Sequence, residues 1–140
     1  MKKIRKKKIS MRLWHQSLIS KLPRQQLLGQ HRECCALRGT GWGRRHSIVD
    51  YVFTYEPDRL VAYHILIMNE MKTRGYNPDP IWRDVTYRGK TLGYDEDNWC
   101  NTHTVLKFLK NNNIIYPEHN GNYLKECLDN LKTKGIEIEV

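Results

Sequence analysis

Apolar residues recur at helical spacing over much of this chain, and the longest such stretch sets the frame. In "PDRLVAYHILIMNEMKTRG", Leu60, His64, Ile67, Met68 and Met71 fall on one stripe. Pro57 and Asp58 suit a first turn, and Gly75 behind Lys72 and Arg74 suits a stop. The segment is apolar almost all round, which predicts a central, buried helix. Upstream, the pattern predicts a helix from about Lys21 to Leu37, with Ser20 as N-cap, Pro23 in its first turn, and Gly39, Gly41 and Gly43 ending it. Leu27, Leu28, His31, Cys34 and Cys35 form its core-facing stripe.

A third helix is expected over about Asn101 to Asn111. A fourth is expected from about Asn120 to Lys134, carrying Leu124, Cys127, Leu128 and Leu131 on one face and stopping at Gly135. "SIVDYVFTY", Ser47 to Tyr55, reads as a helix or a short extended piece, and the alternating "IEIEV" at the end as a short strand or a frayed tail. Between Tyr76 and Trp99, Pro78, Pro80, Gly89 and Gly93 predict an irregular surface connection that carries Trp82 inward. "KTRGY" and "KTKGI" are two helix C-caps rather than a repeat. The expected class is mainly α: a small single-domain helical bundle with irregular surface connections.

The polar face of the first helix is unusual. At 100° per residue Gln26, Gln30 and Glu33 line up on one side with Arg32 on the other flank, and the small Gly29 and Ala36 lie between them. A face cut this low suits either close approach by a ligand or packing against another helix.

Length and charge narrow the picture. A chain of 140 residues is one domain's worth. Its apolar run from Leu60 to Met68 is far short of the ~20 residues that cross a bilayer, so no membrane partner is expected. The net charge is +9, but residues 1–10, "MKKIRKKKIS", carry six of the positive charges and no acid, leaving +3 for the rest. That leader has no apolar segment or small-residue cleavage site of the secretory kind. Four cysteines, two of them adjacent (Cys34 and Cys35), make a poor disulfide framework and fit reduced thiols in a cytoplasmic protein.

Two arrangements raise the question of metal or histidine chemistry. "CNTH" sets Cys100 and His103 three apart, and Cys34, Cys35 and His31 could complete a set, yet a zinc site wants two such knuckles and the helix thiols fit the core. Buried thiols are the expected reading, with no metal and no cofactor. None of the six histidines has a neighbouring pattern that names a nucleophile; His46 after "GRR" suits a phosphate contact, and His64 suits a satisfied core histidine.

The third arrangement is a resemblance. "MRLW" from Met11, followed about twenty residues later by the helical pair Arg32-Glu33, resembles the pyrimidine-dimer DNA glycosylases, the endonuclease V-type repair enzymes of phage and bacteria. The likeness is strongest over Met11 to Leu37, in "LPRQQLLGQHRE", and extends more loosely to His46 and the "KTRGY" helix end. It implies a glycosylase and abasic-site lyase acting on lesion-bearing double-stranded DNA as a monomer.

By that resemblance the amine of the first residue attacks the anomeric carbon of the sugar, displaces the base and forms a Schiff base that permits strand cleavage. An α-amine with a pKa of about 7.7–8.0 keeps a usable neutral fraction near pH 7, which an ordinary lysine at ~10.4 does not. The resemblance makes Met11 the nucleophile-bearing residue and Glu33 the carboxylate that stabilises positive charge on the sugar and shuttles protons. It makes Arg12 and Arg32 DNA contacts, with Gln26, Gln30 and His46 lining the same surface. A lesion inside a duplex must be flipped out, and a low helix face is a plausible floor for that.

Where the family has an arginine one turn beyond its glutamate, this chain has Ala36, and the aromatic, lysine-bearing tail of the phage enzyme has no counterpart. Residues 1–10 would also turn the Met11 nitrogen into an amide. The expectation is therefore that the leader is absent from the active form, residues 11–140 being the single helical domain, and that Met11 is retained before the bulky Arg12. The competing class is a non-catalytic module: a basic arm that grips phosphates on a small nucleic-acid- or protein-binding domain.

Overall fold

The computed structural model describes residues 12–44, 49–95, 98–111 and 113–140. Among these it contains four α-helices and no strand: α1 (Arg24–Arg38), α2 (Pro57–Thr73), α3 (Thr102–Asn111) and α4 (Gly121–Thr133). Short 3-10 turns cover Gln16–Lys21, Asp50–Thr54 and Pro80–Arg83. The mainly α class is as expected. None of the described helices is long and apolar enough to cross a membrane.

Helix α2 is the axis of the core. Pro57 needs no N–H at the first helical position, and the run from Leu60 through Ile65 is buried on every side. The helix ends as expected at Gly75, whose φ of 88° lets Tyr76 N–H reach back to the Met71 carbonyl. Asp58 caps the approach to α3, its Oδ1 accepting the Asn101 amide at 2.8 Å. Asn120 caps α4, its side chain accepting the Tyr123 amide, and Cys127 and Leu131 turn to the core.

Helix α1 departs from expectation at both its start and its face. It begins at Arg24, and Lys21 instead closes the preceding 3-10 turn. Pro23 disfavours helical geometry in the residue before it; Leu22 is extended (φ −64°, ψ 138°), which breaks the run and leaves Ser20 outside the cap position. The buried residues are Leu27, Gln30, Cys34, Leu37 and Arg38, while Leu28, His31 and Cys35 are only half-buried. The core stripe is thus rotated toward two polar side chains that find partners inside. At the helix end Gly41 allows close return of the chain: a Cβ there would sit 2.7 Å from the Ala36 carbonyl oxygen.

The 76–99 connection is irregular, as expected. Trp82 packs over the Arg38 guanidinium at 5.1 Å and beside His64. Arg38, with none of its surface exposed, donates to the carbonyls of Trp82 (2.7 Å), Asp84 (2.9 Å) and Tyr87 (3.0 Å). One guanidinium therefore fastens this loop to α1. Of the Ser47–Tyr55 segment, residues 47 and 48 lie outside the described residues, and Asp50–Thr54 is the 3-10 turn. The last five residues form no strand; Ile136 and Ile138 rest on the core, and Lys21 donates to the Glu139 carbonyl.

Replacing Arg38 by Ala should lower the unfolding free energy by about 3 kcal/mol in urea titration, because three loop carbonyls lose their donor. Arg38→Lys should recover less than half of it, since one ammonium cannot span the same acceptors. A loss below about 1 kcal/mol for the Ala variant would mean that the loop holds itself.

Candidate active site on the first helix

The chain enters the core as an extended segment, Arg12 to Trp14, laid across α1. Among the described residues no strand lies beside it, and its backbone groups are satisfied by side chains. The Gln30 amide donates from Nε2 to the Arg12 carbonyl (2.7 Å) and accepts the Trp14 N–H at Oε1 (2.6 Å). The Tyr63 hydroxyl lies 2.6 Å from the Trp14 carbonyl and 2.9 Å from Gln30 Oε1. On the opposite edge Tyr123 donates to the Leu13 carbonyl. Just downstream, His119 Nδ1 accepts the Gln16 amide at 3.1 Å, so its proton sits on Nε2, facing the Tyr51 hydroxyl at 2.8 Å.

Glu33, one turn beyond Gln30, takes the next donor on the same edge: its Oε2 accepts the Arg12 N–H at 2.8 Å. Burial pushes its pKa up to about 7; the Arg12 amide and the Arg12 and Arg32 guanidiniums oppose that only in part. A carboxyl poised there exchanges protons readily near neutrality, which an ordinary glutamate does not. Its oxygen rests on the Arg12 backbone nitrogen in a partly desolvated setting.

The other expected site residues are placed unequally. Arg12 is half-buried, its guanidinium 5.6 Å from the Trp14 ring and 3.9 Å from Cys127 Sγ. Arg32 is exposed beside Glu33, and Gln26 is half-buried two turns before it. Gln30 is a correction: expected on the DNA-facing surface, it has no exposed area, because its amide has replaced a neighbouring strand. Met11 and His46 lie outside the described residues. Tyr63, Tyr123 and His119 were not marked by the sequence; of the three only Tyr63, in "LVAYHIL", lies within an apolar run, and the polar surroundings of the other two give no signal.

A second polar cluster lies along α1. His31, Cys35 and His64 bring their ligating atoms within 4.8 Å of one another, whereas Cys34, Cys100 and His103 are not part of the group. Its hydrogen bonds run in one direction. Arg38 can only donate, so His64 Nδ1, 3.0 Å away, is the acceptor and its Nε2 carries the proton toward His31 Nδ1 at 2.8 Å. Two imidazoles on one zinc would hold their nitrogens about 3.3 Å apart, each with a free lone pair. As hydrogen-bonded here the two rings form a relay of neutral imidazoles, closer together than two ligands on one zinc. Burial lowers the pKa of both histidines, that of His64 strongly.

A helical domain with a carboxyl of near-neutral pKa set against its incoming chain has the parts of an acid–base enzyme. The family model of the pyrimidine dimer DNA glycosylases matches residues 11–84, more than half of the chain, and the protein belongs to that family of DNA-repair enzymes. No curated protein and no solved structure matches it.

The raised pKa fixes the pH dependence of Glu33's contribution to stability. A carboxyl near 7 in the folded chain and 4.5 unfolded contributes fully below pH 4.5, and that contribution is lost as pH rises through 7. Glu33→Gln keeps an oxygen for the Arg12 amide without the charge. It should melt like the parent near pH 4.5 and be more stable by up to about 3 kcal/mol above pH 7, read from melts across that range. A difference independent of pH would refute the burial argument.

Proposed function

We propose that the chain is a DNA glycosylase that also cleaves the backbone at abasic sites, using the α-amine of Met11 as nucleophile and Glu33 as proton shuttle. What supports this is the 2.8 Å hydrogen bond between Glu33 and the Arg12 amide. Chain connectivity keeps the nitrogen of residue 11 within about 3.7 Å of the Arg12 nitrogen, hence within about 6.5 Å of the carboxyl oxygen.

In this reading the neutral amine forms a bond to C1′ as the glycosidic bond to the base breaks, the base leaving with the bonding electrons and a proton. Protonated Glu33 supplies a proton to the opening sugar oxygen, and the amine nitrogen, after losing a proton, shares its pair with C1′ as an iminium. Removal of a C2′ proton then expels the 3′ phosphate oxygen by β-elimination, and water returns the amine. Arg32, Arg12, Gln26 and His46 contact the lesion-bearing duplex, and the low surface at Gly29 and Ala36 lets a strand approach. The chemistry needs a free nitrogen at residue 11, so the active form is the chain that begins there.

Borohydride trapping on a duplex with one abasic site tests this, comparing the full chain with a chain beginning at Met11 and locating the adduct by mass. The expected result is an adduct on the Met11 amine in the shorter protein only. Glu33→Gln in that protein should lower turnover roughly 100-fold or more while duplex binding persists. No adduct from either protein, with tight binding retained, would leave a binding module in place of an enzyme.

A further inference from the structure

The amide of Gln30 makes, on the 12–14 segment, the two bonds that a residue of a parallel neighbouring strand would make: N–H to the carbonyl of residue 12, C=O from the N–H of residue 14. The geometry points to Gln30 as the positioning residue of this active site, with Tyr63 as its brace, setting the register that brings the Arg12 N–H to Glu33. The inference rests on the function proposed above. It assigns Gln30 no contact with DNA.

Three features carry it. Gln30 has no exposed surface, and both ends of its amide are engaged within 2.7 Å, so it has one orientation. That orientation is enforced, because reversing the amide would set its NH2 against the Trp14 N–H and its oxygen against the Arg12 carbonyl. Tyr63, fully buried on α2, places its hydroxyl 2.6 Å from the Trp14 carbonyl and 2.9 Å from Gln30 Oε1 on the far side, tying the register to the central helix. Finally, Gln30 and Glu33 are one turn apart on a single rigid helix, about 4.5 Å along its axis. The Gln30 bonds fix residues 12 and 14, and Glu33 then meets the Arg12 N–H on the same edge. A slip of one residue would turn that edge away from α1 and present the other set of backbone groups.

The test uses the full chain and the chain beginning at Met11, which keeps every described residue. Gln30→Glu, Gln30→Ala and the milder Tyr63→Phe are each made alone and in the Glu33→Gln background. Folding is checked by thermal melt, and single-turnover cleavage of an abasic duplex is measured separately from duplex affinity. Misplacing the amine should slow single turnover by roughly 100-fold for the Gln30 variants and about tenfold for Tyr63→Phe, with affinity within about threefold. Both should cost little more once Glu33 is gone, since they act through the same alignment. Folded variants that cleave like the parent would overturn the inference. So would losses that multiply with that of Glu33→Gln, because a purely structural weakening acts independently of it. Should Tyr63→Phe alone fold, its rate and its coupling to Glu33→Gln decide the matter. If the parent itself forms no adduct, the enzymatic reading falls and takes this inference with it, an outcome distinct from an active parent with indifferent variants.

Discussion

An extended chain without a neighbouring strand has to hydrogen-bond to something, and the architecture around α1 follows from how that need is met. Residues 12–14 show one edge to α1 and α2 and the other to α4. Gln30 and Glu33 serve the first edge, Tyr63 reaches in from α2, and Tyr123 serves the second. A buried backbone polar group left unpaired costs roughly 1–3 kcal/mol, so these side chains hold the segment in place as well as filling space. Three helices that are distant in sequence are thereby drawn to a single strand of backbone.

The same economy of donors explains the electrostatics. Glu33 is the only acid in α1 and is kept from water, so its charge is disfavoured although two arginines lie within reach. Arg38, the last residue of α1, is held by neutral partners, the carbonyls of Trp82, Asp84 and Tyr87 and the imidazole of His64. Its charge in turn dictates the proton positions on His64 and His31. Helix α1 thus carries an acid whose pKa burial raises to about 7 and, on its other flank, His31 paired with His64 of α2, both imidazoles held neutral.

Much of the framework was legible from residue pattern because it depends on local rules. Pro57, Gly75 and Asn120 act through their own backbone, and the boundaries of α2 and α4 followed from them. The inward turn of Trp82 and the satisfied core setting of His64 were legible too. The start of α1 was misjudged because Pro23 acts on the residue before it, a stronger effect than the capping preference of Ser20. Gln30 and Arg38 were hidden for another reason. A polar residue at a core position looks like a surface residue until its partners are known, and those partners lie 16 to 49 residues away. The approach of Glu33 to the incoming chain was suggested by family resemblance alone, since periodicity places a residue on a face without saying what crosses it.

The grip of Arg38 also bears on how the two parts of the chain could diverge. The span shared with the family ends at Asp84, and this one side chain holds carbonyls on both sides of that limit, at Trp82 and Tyr87. Every amino acid carries a carbonyl, so the attachment reads the path of the loop and is blind to its composition. Evolution can rewrite the side chains of such a loop freely while the route of the backbone stays the same.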